Sequence, residues 1–385
     1  MRAGAPWMFA LALASCGGVG TGGTGTYVSG PIAGFGSILV SGVRLDERSA
    51  ELRNDDGEPR SAADLQLGVT VEVDAGNLTP STPGDALSLD SAVAQRITLG
   101  SEIVGPVSAI APGGIGLKVL GQPVLVSTNT AYGPSLTQGL VSIRPGMVVQ
   151  VYGFYDAAEQ TQKVRATRIE EPGQVAFWRV RGPIKTIDPV AKTLTIGTAT
   201  FGYASATGVP QDLPVGRTVR LRVAKTTPAP GRFDVLSFAG DRTPLADWDA
   251  ARLGGYITEF MSLANFSIGG IPVDASAATI AGGTPALGVG ILARGPTRGG
   301  VLRAETLLVQ TEERVMADGF IFQGPIESID LATQTLVLKG TALWWGRPPL
   351  VNNGTLADLV PGRAISVRAV KTASGRFEAV IIRLD

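Results

Sequence analysis

The chain contains 385 residues, which corresponds to about two to four domains of ordinary size. Hydrophobic residues make up 44% of it and charged residues 17%, so a packed core is expected along its length. The 33 Lys and Arg residues balance the 33 Asp and Glu residues, which excludes a general electrostatic attraction to nucleic acid. The lack of histidine and the single cysteine exclude His-dependent triads, His-ligated zinc, thiolate metal clusters and intrachain disulfides.

The first sixteen residues have the pattern of a secretory signal. Arg2 precedes a short apolar run that is too short to cross a bilayer as a permanent helix. The run ends in Leu-Ala-Ser-Cys, which resembles the lipobox of bacterial lipoproteins, in which the cysteine carries diacylglycerol. We therefore predict a lipoprotein signal peptide over residues 1–15 and lipidation of Cys16. The alternative is an ordinary signal peptide with Cys16 as an incidental thiol.

The residues after Cys16 predict how the protein is attached and where. Residues 16–26 are nearly all glycine and threonine, a composition typical of a flexible tether. Several acyl chains hold a protein on a membrane more firmly than one, so the membrane is a predicted partner. Gly17 directly after the cysteine implies, by the sorting rule for lipoproteins, the outer membrane of the bacterial envelope. Whether the protein faces the periplasm or the cell surface is left open.

A glycine-led signal, Gly-Pro-Ile or a close relative, occurs five times along the chain. Its glycines are 75, 77, 73 and 69 residues apart. Each copy continues with a short alternating apolar strand, a turn glycine, a second glycine, and two further alternating strands. Alternation with period two predicts strands with one face in a core, and about five or six such strands form a small barrel. The five signals begin at Gly30, Gly105, Gly182, Gly255 and Gly324.

These copies define the predicted domains. The barrel repeats are expected over residues 27–101, 102–173, 174–240, 254–314 and 315–385, with a linker over 241–253. Strong helical periodicity is missing from the sequence, although 247–253 and 312–316 are each long enough for a turn or two of helix. Barrels of about 65 residues are marginal alone, so packing between copies is expected.

The first copy, Gly30-Pro-Ile-Ala-Gly-Phe-Gly-Ser-Ile-Leu-Val-Ser-Gly42, resembles the opening of the family called domain of unknown function 5666. The second copy fits that pattern closely from Glu102 to Ile169, the third and fifth agree less well, and the fourth departs most. The resemblance implies an all-β fold, a tandem array of about five small OB-like five- or six-stranded β-barrels in exported bacterial lipoproteins. It brings no established activity and no catalytic residues.

Three short motifs are candidates for chemistry. Asp55-Asp56-Gly57-Glu58 offers oxygen ligands for calcium but is typical of a turn. Asp247-Trp248-Asp249 places two carboxylates around an aromatic ring, which suggests acid/base chemistry on a sugar, although an acidic linker is the simpler explanation. Trp178-Arg179-Val180-Arg181 is expected to be a strand with a solvated basic face.

The most unusual motif is Trp344-Trp345, followed by Arg347. In a strand one ring faces the core and the other faces solvent, where it can stack on a sugar or anchor a protein partner. The alternative is that the tryptophans cover a barrel mouth or a seam between copies. Trp344, Trp345 and Arg347 are the candidate ligand-binding residues.

Together these features predict a lipid-anchored envelope protein that acts as a non-catalytic binding or structural module. We expect no catalytic residues, no metal and no cofactor, and an envelope protein or glycan as the partner rather than nucleic acid. One alternative is a surface lipoprotein that binds a glycan or polymer through Trp and Arg. The other is a hydrolase that uses Asp and Glu alone, which predicts carboxylates with perturbed pKa values in one cleft.

Overall fold

The computed structural model describes residues 23–85, 87–156, 163–240, 245–310, 320–372 and 374–385. These residues form thirty-three strands, β1 to β33, and four 3₁₀ helices of three or four residues. None of the described helices has the length and hydrophobicity of a transmembrane segment. The predicted all-β class is therefore confirmed. Cys16, its signal segment and residues 312–316 lie outside the described residues.

The first two repeats contain thirteen of the strands. The strands of the first barrel are β1 (Gly23–Pro31), β2 (Gly34–Phe35), β3 (Ile38–Val40), β4 (Val43–Asp46), β5 (Glu51–Asn54), β6 (Thr70–Ala75) and β7 (Asp90–Leu99). Those of the second barrel are β8 (Ile103–Ile110), β9 (Gly116–Val119), β10 (Gln122–Leu125), β11 (Ala131–Tyr132), β12 (Val148–Asp156) and β13 (Lys163–Glu170). The 3₁₀ helices of these barrels cover Ala62–Asp64, Pro112–Gly114 and Gly139–Ser142.

The remaining strands form three more barrels. The third has β14 (Trp178–Pro183), β15 (Thr186–Asp188), β16 (Thr193–Ile196), β17 (Ala199–Gly202), β18 (Thr218–Val223) and β19 (Arg232–Ala239). The fourth has β20 (Trp248–Ser262), β21 (Asn265–Ile268), β22 (Ile271–Asp274), β23 (Thr279–Ala281), β24 (Gly290–Arg298), β25 (Val301–Arg303) and β26 (Thr306–Gln310). The fifth has β27 (Phe320–Pro325), β28 (Ser328–Asp330), β29 (Thr335–Leu338), β30 (Thr341–Trp344), β31 (Leu350–Asn352), β32 (Ala364–Lys371) and β33 (Phe377–Leu384), with a 3₁₀ helix at Leu356–Asp358.

The second barrel shows the strand order most clearly. β8 pairs with β9, β9 with β10, β10 with β13, β13 with β12, and β12 returns to β8, so the sheet closes on itself. Only the β10–β13 pair in this circuit is parallel. This is the 1-2-3-5-4-1 order of an OB-like barrel. The fourth barrel closes in the same way, and the third and fifth keep the order with their first strand split in two.

The glycines that mark the repeats lie at hairpin and strand-entry turns. In every barrel the turn glycine between the second and third strands has a positive φ, as do the glycines that precede the long fourth strand. A residue with a Cβ is strained there, so these glycines explain the fivefold signal in the sequence. The first set is Gly42, Gly121, Gly197, Gly270 and Gly340, and the second is Gly68, Gly146, Gly216, Gly288 and Gly362.

The five barrels are packed around the first one rather than strung in a line. Its strand β1 pairs in parallel with β20 of the fourth barrel, and β2 pairs in parallel with β27 of the fifth. The Thr167 hydroxyl of the second barrel donates to the Gly68 carbonyl, 2.5 Å away. The second and third barrels are joined through β8 and β14 and share one hydrophobic core.

Two predicted flexible segments are shorter than expected. Gly23–Thr26, assigned to the tether 16–26, belongs to β1, whose two edges pair with β6 and β20. Trp248–Leu253, assigned to the linker 241–253, begins β20, which pairs with β1 and β24. The residues 247–253 therefore do not form a helical turn. In both cases sheet pairing with a distant repeat overrides a glycine-rich or acidic local composition.

Candidate functional site

The two adjacent tryptophans of the fifth barrel have different surroundings. Trp345 is only 3% exposed and belongs to the core of that barrel. Trp344 is half-buried, and the guanidinium carbon of Arg376 lies 4.7 Å from the centre of its ring. Arg347 is exposed. The sequence predicts one inward and one outward ring without saying which is which, and the structure places Trp345 inward and Trp344 outward. The cation stacked on Trp344 is Arg376, from the turn before β33, rather than Arg347.

The acidic turn of the first barrel is bound by arginines of the third. Asn54 shapes the turn, because its side-chain oxygen accepts hydrogen bonds from the amides of Asp56 and Glu58. Asp56 then accepts from Arg179 at 2.9 Å and from Arg222 at 2.8 Å. The motif is a turn, as its composition indicated, but its first two carboxylates take part in an ion-pair network between barrels.

Four arginines form a two-by-two grid on the outer face of β14 and β18. Arg179 lies opposite Arg222, and Arg181 lies opposite Arg220. Arg179 is only 6% exposed, so this face is not the solvated surface that alternation predicted. Arg220 pairs with Asp55 at 2.9 Å, and Arg181 is 3.3 Å from Glu102 of the second barrel.

The pKa values of the two aspartates are shifted in opposite directions from the ordinary value. Burial raises the pKa of Asp55, against the opposing charges of Arg220 and Arg179. Burial also acts to raise the pKa of Asp56, but the hydrogen bond from Arg222 and the charges of Arg220 and Arg179 outweigh it and lower that pKa. Of the two aspartates, Asp56 is therefore the one whose charged form the arginines stabilise more.

A cleft of about 930 Å³ lies where the first four barrels meet. Its floor is the outward face of β6 and β7, which alternate so that Val71 and Val73 enter the core while their polar neighbours point outward. The floor residues are Thr70, Glu72, Asp74, Arg96 and Thr98. A site assembled from four repeats could not be located from any one of them.

Aromatic side chains lie along the cleft. Trp248 of the fourth barrel is half-buried, and its ring centre is 6.4 Å from that of Tyr27. Phe154 of the second barrel is also half-buried and lies over Gly255 of β20. Trp248 and Gly255 are seven positions apart on β20, a separation of at most about 23 Å along an extended strand. The cleft is therefore elongated, with an aromatic surface near each end.

The charges along the cleft nearly balance. Five carboxylates and four guanidinium groups line it, the latter being Arg96, Arg181, Arg217 and Arg220. Burial raises the pKa of Asp74, and the negative charge of Glu72 raises it further. The positive charge of Arg96, 3.1 Å away, acts to lower that pKa. Within the described ranges, no three acidic or cysteine side chains converge in the manner of a metal site.

The two carboxylates around Trp248 are bound by one neighbouring turn. Asp247 accepts a hydrogen bond from the amide of Gly299 at 2.7 Å, and Asp249 pairs with Arg298 at 3.0 Å. Both carboxylates therefore bind the β24–β25 turn, and it is the indole that lines the cleft. The sequence of this motif predicts an acidic linker, whereas the structure places its tryptophan in a strand at the cleft.

Comparison with known proteins identifies one domain. Residues 104–170, from β8 to the end of β13, match the family model described as "Domain of unknown function (DUF5666)". A solved Drosophila structure titled "drosophila Unr CSD456" is similar at 10% sequence identity over 74% of this chain and 98% of that chain, with a TM-score of 0.14. At that TM-score the likeness carries no argument. No curated protein matches the chain.

Proposed function

The second barrel of this chain is a DUF5666 domain. We propose that the chain is a non-catalytic binding protein of the bacterial envelope. Its ligand is an extended polar polymer, a glycan, that occupies the cleft between the first four barrels. The observation that carries this proposal is the cleft itself, an elongated space of about 930 Å³ with an aromatic ring near each end and polar side chains between them.

The composition of the cleft matches the chemistry of a sugar chain. Each sugar ring has an apolar face, which packs on an aromatic ring, and a rim of hydroxyl groups, which bind carboxylates and guanidinium groups. Trp248 and Phe154 supply the first kind of contact, and Glu72, Asp74 and Arg96 supply the second. The near balance of charge favours a neutral or weakly charged polymer over a polyanion.

The surface around Trp344 supports the same proposal less well. Its ring is already stacked with Arg376, and its neighbour Trp345 is in the core, so only one indole faces outward. Trp344 with Arg347 remains the predicted second surface for a glycan or an envelope protein. Substitution of Trp248 in the cleft and of Trp344 in the fifth barrel gives a matched pair of variants that distinguishes these two locations.

The ligands for the binding test are oligosaccharides that mild acid releases from bacterial envelopes and that are then fractionated by size. They are titrated into a protein that comprises residues 17–385. Trp248→Ala should weaken binding at least about tenfold, because buried tryptophan contacts dominate binding energies. Trp344→Ala should change the affinity less than about twofold, within the range of rim contacts. Weakening by Trp344→Ala or Arg347→Ala alone would move the site to the fifth barrel and contradict the proposal.

Attachment to the membrane is a separate part of the proposal. The lipobox-like sequence before Cys16 supports lipidation of that residue, and Gly17 supports sorting to the outer membrane. Cell fractionation of the wild-type protein and of Cys16→Ala tests this directly. The wild-type protein should follow the outer membrane and the variant should not. Recovery of the variant with membranes would refute anchoring through Cys16.

A glycan hydrolase that uses only carboxylates is the second candidate. Glu72 and Asp74 are two residues apart on one face of β6, so their Cα atoms are about 7 Å apart, and burial raises the pKa of Asp74. Inverting glycosidases use two carboxyl groups with a comparable separation. Release of reducing ends from the bound oligosaccharides, abolished by Asp74→Asn with binding retained, would favour this candidate over the binding protein.

A further inference from the structure

The chain enters the folded body at one end of the cleft. β1 begins at Gly23, which pairs with Trp248, the tryptophan that lines this end. Two residues later, Gly25 lies so close to the indole that a Cβ there would be 3.2 Å from a ring carbon. The start of β1 and the Trp248 end of the cleft are therefore neighbours in space.

The tether that precedes Gly23 is short. Because β1 includes four residues of the predicted tether, only residues 17–22 separate Cys16 from the first strand. A fully extended chain covers at most about 25 Å over that span. A single barrel of this size is about 28 Å across. A whole barrel therefore does not fit between Gly23 and a bilayer that holds Cys16.

We infer that the protein binds the lipid surface with the face that contains the Trp248 end of the cleft. This inference rests on the proposed lipidation of Cys16. The facing segment is residues 245–249 together with the β24–β25 turn at Arg298 and Gly299.

The charges of this face suit a zwitterionic headgroup layer. Asp249 and Arg298 form an exposed ion pair 3.0 Å apart, and Asp247 is held by the Gly299 amide. The face therefore presents both signs of charge around Trp248. A glycan that is attached to a lipid of the same bilayer would reach the Trp248 end of the cleft first.

The third barrel lies at the far end of the cleft floor. Its Arg220 pairs with Asp55 of the first barrel. The backbone amide of Asp55 donates to the Leu99 carbonyl, which lies next to the Thr70 end of β6. The Gly23 end of β1 is instead beside Ala75, at the opposite end of that strand. Val190, on the β15–β16 hairpin of the third barrel, is 92% exposed and should face away from the lipid.

The test uses a fluorescent label on one introduced cysteine in the lipidated protein. Cys16 is the only cysteine and its thiol is consumed by lipidation, so Asp247→Cys or Val190→Cys provides a unique free thiol. Each labelled protein is reconstituted in phosphatidylcholine vesicles that contain a lipid with a spin-labelled headgroup, which quenches on contact. The label at 247 should lose most of its fluorescence, and the label at 190 should keep most of it.

Equal quenching at both positions, or stronger quenching at 190, would overturn the orientation. Flotation of the vesicles is measured first, and it separates the two proposals. Protein that does not float refutes the anchor and this inference with it, whereas floating protein with the wrong quenching pattern refutes only the orientation. Protein bound through Cys16 to vesicles without the quencher provides the baseline fluorescence for each label.

Discussion

A carboxylate oxygen of Asp56 lies 2.8 Å from a guanidinium nitrogen of Arg222, although the two residues are 166 positions apart in the chain. This contact joins the first barrel to the third, across the end of the cleft floor. Asp56 is nearly fully buried, at 4% side-chain exposure, and also binds Arg179 and Arg220. The pairing shows that the repeats are fitted to one another through side chains specific to each copy.

Asp56→Asn should destabilise the protein by about 3 kcal/mol, because it leaves buried arginines without their counter-charge. Asp46→Asn is a matched control, since Asp46 pairs with Arg48 in an exposed position and should cost less than about 1 kcal/mol. Urea denaturation of the two variants provides the comparison. Equal losses would mean that the network does not hold the barrels together.

The stability should fall when acid protonates Asp56. Its pKa is lowered in the folded state, so its contribution is present above the unfolded value of about 4 and is lost as pH falls through the folded pKa. Asp55 has a raised pKa, so its contribution has the opposite sign and is lost as pH rises through its folded pKa. Thermal unfolding between pH 3 and 7 should show a shallower acid dependence for Asp56→Asn and a steeper one for Asp55→Asn. Identical profiles would contradict these assignments.

Lys371 should give the protein an alkaline rise in stability. Its ammonium lies 5.5 Å from the Phe377 ring and donates to the Thr130 carbonyl at 3.3 Å, and burial lowers its pKa to about 8. Between this value and the ordinary pKa of 10.5, the unfolded chain binds more protons, so stability should increase with pH. Lys371→Met should abolish that slope in denaturation curves taken at pH 7.5 and 10. A slope that persists in the variant would assign it to another group.

The adjacent tryptophans of the fifth barrel should respond very differently to truncation. Trp345→Ala removes a core side chain and should cost about 3–5 kcal/mol. Trp344→Ala removes a half-buried ring and its contact with Arg376, and should cost no more than about 2 kcal/mol. Denaturation midpoints test both, and similar costs would contradict the placement of Trp345 in the core.

The sequence predicts the barrels well because the signals for each barrel lie within its own segment of the chain. Glycines such as Gly121 and Gly146 recur where a hairpin needs a positive φ, and alternation identifies the inward face of each strand. Alternation does not say what covers the outward face. Arg179 and Arg222 are therefore indistinguishable from solvated arginines until the first barrel is placed against them.

The cleft could not be predicted for the same reason. Its floor residues, such as Glu72 and Asp74, have the pattern of an ordinary solvated strand face. They line a cleft because other repeats pack beside them, including the fourth, whose strand β20 pairs with β1 of the first. One signal was present in the sequence, namely a tryptophan in an otherwise polar segment at Asp247-Trp248-Asp249.

Hydroxyl-radical footprinting with and without envelope oligosaccharides tests the proposed site most directly, because it reports the exposure of individual side chains. Occupation of the cleft predicts that oxidation of Trp248 and Phe154 falls when the oligosaccharide is added, while oxidation of Trp344 stays constant. Protection of Trp344 with no change at Trp248 and Phe154 would contradict the account.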